Sequence, residues 1–111
     1  GQNVKRPAID LKESADCRLF TENGNIFLPI LDGRLIIDES CMIFKNDENE
    51  ILINYKNISS ITTESNCKLQ LYDNVAGQLY QVKYTKASVL QWQDILISVV
   101  FLKTGRVVNT R

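Results

Sequence analysis

The chain contains no histidine and carries no formal net charge, because 13 Lys and Arg residues balance 13 Asp and Glu residues. Histidine is the commonest general base near neutral pH and the commonest metal ligand. A Ser–His–Asp or Cys–His catalytic site is therefore excluded within this chain. Nucleic-acid-binding faces usually carry a basic excess. We expect no enzyme activity, no cofactor and no small-molecule substrate, and we expect nucleic acid not to be the main partner.

Cysteine, glycine and long apolar runs are also scarce. The three cysteines, Cys17, Cys41 and Cys67, are odd in number and far apart. This pattern predicts free thiols and an intracellular location, cytoplasmic or nuclear. No two cysteines have zinc-site spacing, and the five glycines form no phosphate-binding loop. The longest apolar stretch, residues 95–102, is far shorter than the roughly 20 residues of a membrane span.

The 111 residues have the length and composition of one globular domain, with 44% apolar side chains. The polar, mixed-charge start predicts a flexible lead-in over residues 1–16, with the domain over residues 17–103. A basic tail, residues 104–111, follows, and we expect it to be frayed.

Residues 17–84 contain short apolar runs separated by turn formers at roughly ten-residue spacing, which is typical of an antiparallel sandwich or barrel. Proline cannot donate to a strand ladder, so Pro29 predicts an edge or irregular strand over residues 26–31. Asp32 and Gly33 predict a turn before the next strand.

The apolar period changes after Tyr84 from that of a strand to that of a helix over residues 86–102. Thr85 is the expected N-cap and Gly105 the expected C-terminal cap. The helix and the strands supply the predicted core: Leu35, Ile37, Phe44, Ile53, Tyr55, Leu69, Leu71, Trp92, Leu96 and Val99.

Three stretches carry a resemblance to a known family. Residues 33–44, with the pattern Gly-Arg-Leu-Ile-Ile-Asp before Cys-Met-Ile-Phe, resemble a hairpin of the GRAM-like branch of the pleckstrin-homology superfamily. Residues 51–61 resemble its tyrosine- and isoleucine-containing segment, and Trp92 is similar to its helix tryptophan. The resemblance implies a mainly β fold with one C-terminal helix, in which the helix caps a bent antiparallel sandwich or barrel.

Lipid-binding members of that superfamily need several cations at the first hairpin, because multiple phosphates require several charge-assisted donors. This region offers only Arg18 and Arg34 as a candidate weak anion-binding site, and Glu22 and Asp32 accompany them. If the termini converge, their cations form a candidate basic patch from Lys5, Arg6, Lys103, Arg106 and Arg111.

These observations favour a non-catalytic interaction module, a scaffold or adaptor within a larger protein, whose main partner is another protein. We expect a peptide to add to an exposed edge strand beside the helix. The alternative is a membrane-targeting domain that reads anionic or phosphoinositide headgroups. A third hypothesis, a histone- or nucleic-acid-associated domain, depends on the basic termini.

Overall fold

The computed structural model describes residues 13–111. The strands are β1 (Ser14–Asn23), β2 (Ile26–Ile37), β3 (Cys41–Lys45), β4 (Glu50–Asn54), β5 (Ile58–Thr63), β6 (Lys68–Asp73) and β7 (Gln78–Tyr84). A short 3-10 turn, Tyr55–Asn57, joins β4 to β5, and one helix, α1 (Val89–Thr104), follows the last strand.

All seven strands form one antiparallel sheet in the order β4-β3-β2-β1-β7-β6-β5. Helix α1 packs on β5, on the 3-10 turn and on β6. The expected mainly β fold with one C-terminal helix is thus confirmed. The arrangement is consistent with a pleckstrin-homology-like sandwich capped by the helix.

All ten residues predicted for the core are buried. Trp92 stacks on Tyr84 with ring centroids 5.8 Å apart. Tyr55 is buried, and its hydroxyl donates to the backbone carbonyl of Asp38 at 2.8 Å. The same hydroxyl accepts from the Asp38 amide at 3.2 Å, so this tyrosine ties the end of β4 to the turn after β2.

The predicted break at Asp32 and Gly33 is wrong, because β2 runs through both residues. A side chain at Gly33 would collide with the backbone carbonyl of Lys45. The glycine therefore permits a close approach of neighbouring backbones rather than a turn. Pro29 lies where the β1–β2 register shifts, since Leu19 pairs with Leu31 but Phe20 pairs with Pro29. One residue of β2, Ile30, is left over as a bulge.

The helix begins later than predicted. Ser88, not Thr85, is the N-cap, and its hydroxyl accepts from the Gln91 amide at 3.2 Å. The Thr85 amide instead donates to the Asp16 carbonyl at 3.1 Å. Gly105 ends the helix in the left-handed conformation with φ 75°, as expected. Leu102, in the last turn of the helix, is 53% exposed.

Both ends of the predicted domain are also ordered further than expected. Strand β1 begins at Ser14, inside the segment assigned to the lead-in. In the C-terminal tail Val108 is buried, and Asn109 forms a parallel bridge with Ser60 on β5. The expectation of a frayed tail is wrong for residues 106–109, because Arg106 is bonded to the 3-10 turn and Asn109 to β5.

Candidate functional site

The two candidate anion-binding arginines are already paired with carboxylates. Arg18 Nη2 lies 3.2 Å from Asp32 Oδ2, directly across the β1–β2 ladder. Arg34 Nε lies 3.7 Å from Asp16 Oδ1, two cross-strand pairs further along, and Arg34 also donates to the Ser14 hydroxyl. Each arginine is partly neutralised by its neighbour, so the structure does not bring Arg18 and Arg34 together as a free cationic site.

The terminal cations have separate roles. Lys103 lies 3.5 Å from a Glu39 carboxylate oxygen. The Arg106 guanidinium donates to the carbonyl oxygens of Tyr55 at 3.1 Å and Lys56 at 2.9 Å, and so holds the tail against the 3-10 turn. Arg111 is exposed, while Lys5 and Arg6 lie outside the described residues. Lys103 and Arg106 are thus engaged with a carboxylate and with backbone carbonyls, and the basic patch as a whole stays a prediction.

The sheet edge beside the helix is partly occupied. The Ile61 amide donates to the Asn109 carbonyl at 2.8 Å, and the Asn109 amide donates to the Ser59 carbonyl at 3.0 Å. The chain's own tail thus covers the β5 edge where we expected a partner peptide. A partner peptide would therefore have to bind at a different strand edge of the sheet.

An open edge is present on the first half of β2, at residues 26–31, which we call the hairpin edge. Strand β3 pairs only with Arg34–Ile37 of β2. Residues 26–31 therefore have β1 on one side and, within the described part of the chain, no strand on the other. Unpaired backbone groups at such an edge can pair with another chain.

The hairpin edge also exposes large aliphatic side chains. Ile26 is 57% exposed, and Leu28 and Ile30 are each 39% exposed. The bulge moves Ile26 and Leu28 onto the face that carries Leu19, because they pair with Asn23 and Thr21. These two side chains therefore extend the sheet's core-facing surface beyond the part that the protein itself buries.

The charge around the hairpin edge is negative. No Lys or Arg occurs in residues 19–33, whereas Glu22 stands opposite Phe27. At the other end the Asn46 side chain donates to the Asp32 carbonyl at 3.1 Å, which places the turn containing Asp47 and Glu48 next to Asp32, with Lys45 preceding that turn. These carboxylates would complement a basic partner segment.

The cysteines offer no evident reactive centre. All three are free, and Cys17 is buried. Burial raises the pKa of the Cys17 thiol to about 12, and burial also raises the pKa of Cys41. Because the thiolate is the nucleophile, a raised pKa lowers thiol reactivity at neutral pH.

No three His, Cys, Asp or Glu side chains of residues 13–111 cluster as a metal site. The helix that the structure describes is too short to cross a bilayer.

In comparisons with known proteins, the chain matches no family model and no curated protein sequence. The fold and the geometry of the hairpin edge therefore carry the functional argument.

Sequence reasoning missed the hairpin edge as a site, although one signal for it was present. Pro29 correctly indicated an edge or irregular strand at residues 26–31. What the sequence could not show was that β3 would be too short to cover this part of β2.

Proposed function

We propose that this chain is a non-catalytic protein-interaction module whose hairpin edge binds an extended, apolar and basic segment of a partner protein. The observation that carries the proposal is the coincidence of an open strand edge with exposed Ile26, Leu28 and Ile30. A long apolar edge left bare invites aggregation, so proteins usually shorten, charge or cover such an edge. A partner segment bound along this edge would bury these side chains.

Recognition at such an edge combines two kinds of contact. Backbone groups that face away from β1 supply hydrogen bonds, and apolar side chains select the sequence that binds. Pro29 offers no amide donor, so the partner strand would pair on either side of it and pack on Ile26 and Leu28. Lys or Arg on the partner would complement Glu22, Asp47 and Glu48.

We further propose that the chain is a GRAM-like member of the pleckstrin-homology superfamily and acts as a scaffold or adaptor within a larger protein. The strand order and the capping helix support the family assignment. An intracellular location, cytoplasmic or nuclear, is supported by the three free cysteines.

Selection from a random peptide library on the immobilised chain tests the proposed function. We expect enriched peptides to combine Lys or Arg with aliphatic residues at alternate positions. A Leu28→Asp variant should lose binding to these peptides about tenfold or more, because it places a charge in the apolar contact. The matched control, Leu90→Asp, changes a helix residue that is 68% exposed and should bind as the parent does.

Two results would contradict this function. One is a selection that enriches no peptide sequence. The other is a set of enriched peptides that bind the Leu28→Asp variant and the parent equally well.

A further inference from the structure

A row of cations crosses three neighbouring strands on the outer face of the sheet. Arg18 on β1 pairs directly with Lys83 on β7, and Lys83 pairs directly with Lys68 on β6. Direct cross-strand partners project from the same face, with Cβ atoms about 5 Å apart. We call Arg18, Lys83 and Lys68 the cation row.

This placement is unfavourable for the fold by itself. Like charges directly opposite each other destabilise a sheet, and Lys83 has a cation opposite it on both sides. Among the described residues, no carboxylate oxygen lies within 4.0 Å of the Lys83 or Lys68 ammonium group, whereas Arg18 pairs with Asp32. Glu64 approaches Lys68 through its backbone, since its amide donates to the Lys68 carbonyl at 2.9 Å.

The surface beside Lys83 is concave. Arg18, Asp32, Lys83, Tyr84 and Thr85 line a hollow of about 280 Å³. The hollow opens on the β1–β7 face, on different strand positions from the hairpin edge.

We propose that Lys83 and Arg18, the two members of the cation row that line this hollow, bind a phosphate group of a soluble ligand, and that Lys68 adds positive charge from the neighbouring strand. Arg18 already shares its charge with Asp32 in an exposed ion pair, so Lys83 is the cation of this hollow that has no carboxylate within 4.0 Å among the described residues. A dianionic phosphate would accept charge-assisted hydrogen bonds from Lys83 and Arg18 at once. Bound phosphate would neutralise the repulsion around Lys83. This proposal does not depend on the protein-interaction function, because it concerns other residues and another ligand.

The test is a titration of the full chain with inorganic phosphate, followed by backbone amide chemical shifts, against sodium chloride at equal ionic strength. We expect saturable shifts centred on Arg18, Lys83 and Thr85. Lys83→Ala should weaken phosphate binding about tenfold or more, in line with the loss of a hydrogen bond to a charged group. Lys56→Ala removes the same charge from an exposed site elsewhere and should leave binding within twofold.

Thermal unfolding supplies a second readout. Without phosphate, Lys83→Ala should melt no lower than the parent, because it removes like-charge repulsion. Phosphate should raise the melting temperature of the parent and of Lys56→Ala more than that of Lys83→Ala. Shifts that do not saturate, or equal phosphate responses in the Lys83→Ala and Lys56→Ala variants, would overturn the proposal.

A second experiment with vesicles distinguishes a soluble phosphate ligand from a membrane lipid headgroup. Phosphatidylcholine vesicles that contain phosphatidic acid present the same group on a membrane. We expect phosphate to bind and these vesicles not to bind at physiological salt. Vesicle binding that is abolished in Lys83→Ala and preserved in Lys56→Ala would overturn the assignment to a soluble ligand. The ligand of this site would then be a lipid headgroup.

Discussion

Truncation of Trp92 to alanine should remove a buried aromatic contact between the helix and the sheet. Trp92 is 3% exposed and stacks on Tyr84 at a centroid distance of 5.8 Å. Loss of a buried tryptophan typically costs about 3–5 kcal/mol, and loss of an aromatic pair adds about 0.5–1.5 kcal/mol. A small domain has only about 5–15 kcal/mol of stability in total, so the variant should be close to unfolding.

Thermal unfolding followed by far-ultraviolet circular dichroism measures this cost. Each kcal/mol corresponds to about 4–8 °C for a domain of this size, so we expect the melting temperature of Trp92→Ala to fall by at least about 15 °C. Leu90→Ala, at an exposed position of the same helix, should change stability by less than about 0.5 kcal/mol. A Trp92→Ala protein that melts within two degrees or so of the parent would refute the anchoring role.

Further predictions concern the tail, the thiols and membranes. Arg106→Ala should lower the free energy of unfolding in urea by about 1.5–3 kcal/mol, since it removes two hydrogen bonds from a charged donor; an effect no larger than that of Arg111→Ala would argue against this. A thiol reagent should modify three thiols in denaturant without reductant, but should reach buried Cys17 in the native protein only slowly. Vesicles containing phosphoinositides should not cosediment tightly with the chain at physiological salt, because membrane binding needs several clustered cations and residues 14–37 offer only Arg18 and Arg34; headgroup-specific binding that Arg18→Ala or Arg34→Ala abolishes would contradict this. The Cys17 thiol should also weaken the fold at high pH: its folded pKa of about 12 lies above the ordinary 9.0, so the unfolded chain ionises first. The protonated thiol therefore contributes fully to the free energy of unfolding below pH 9, and this contribution falls as the pH rises towards 12, by about 2 kcal/mol at pH 10.5. The difference in the free energy of unfolding between the parent and Cys17→Ala should narrow over that range. A difference that stays constant with pH would contradict this prediction.

The sequence was sufficient to predict most of the strands, the helix and the core, because each depends on local alternation or on helical spacing. Strand β2 is the exception, since it runs through the predicted break at Asp32 and Gly33. Trp92, Leu96 and Val99 recur at helical spacing, and all three are buried. The helix start was misplaced because Thr85 and Ser88 are both good N-caps. The choice between them depends on the contact of the Thr85 backbone with β1, which no local pattern reveals.

Strand pairing explains why the site was harder to predict. The cation row exists only because Lys83 stands opposite both Arg18 and Lys68, which are far apart in sequence. The hairpin edge exists only because β3 stops pairing at Arg34. The role of Arg106 was missed for a similar reason, since its acceptors are 50 and 51 residues away. Register between distant strands is set by the whole fold rather than by neighbouring residues.

Hydrogen exchange of the backbone amides at the hairpin edge tests the central proposal most directly. A selected basic, apolar peptide is added to the full chain, and exchange is compared with and without it. We predict slower exchange in residues 26–31 at amides that face away from β1, because a partner strand would hydrogen-bond them. Protection confined to β4 or to the β5 edge, or no change in residues 26–31 at a saturating peptide concentration, would contradict the proposal that this edge receives the partner.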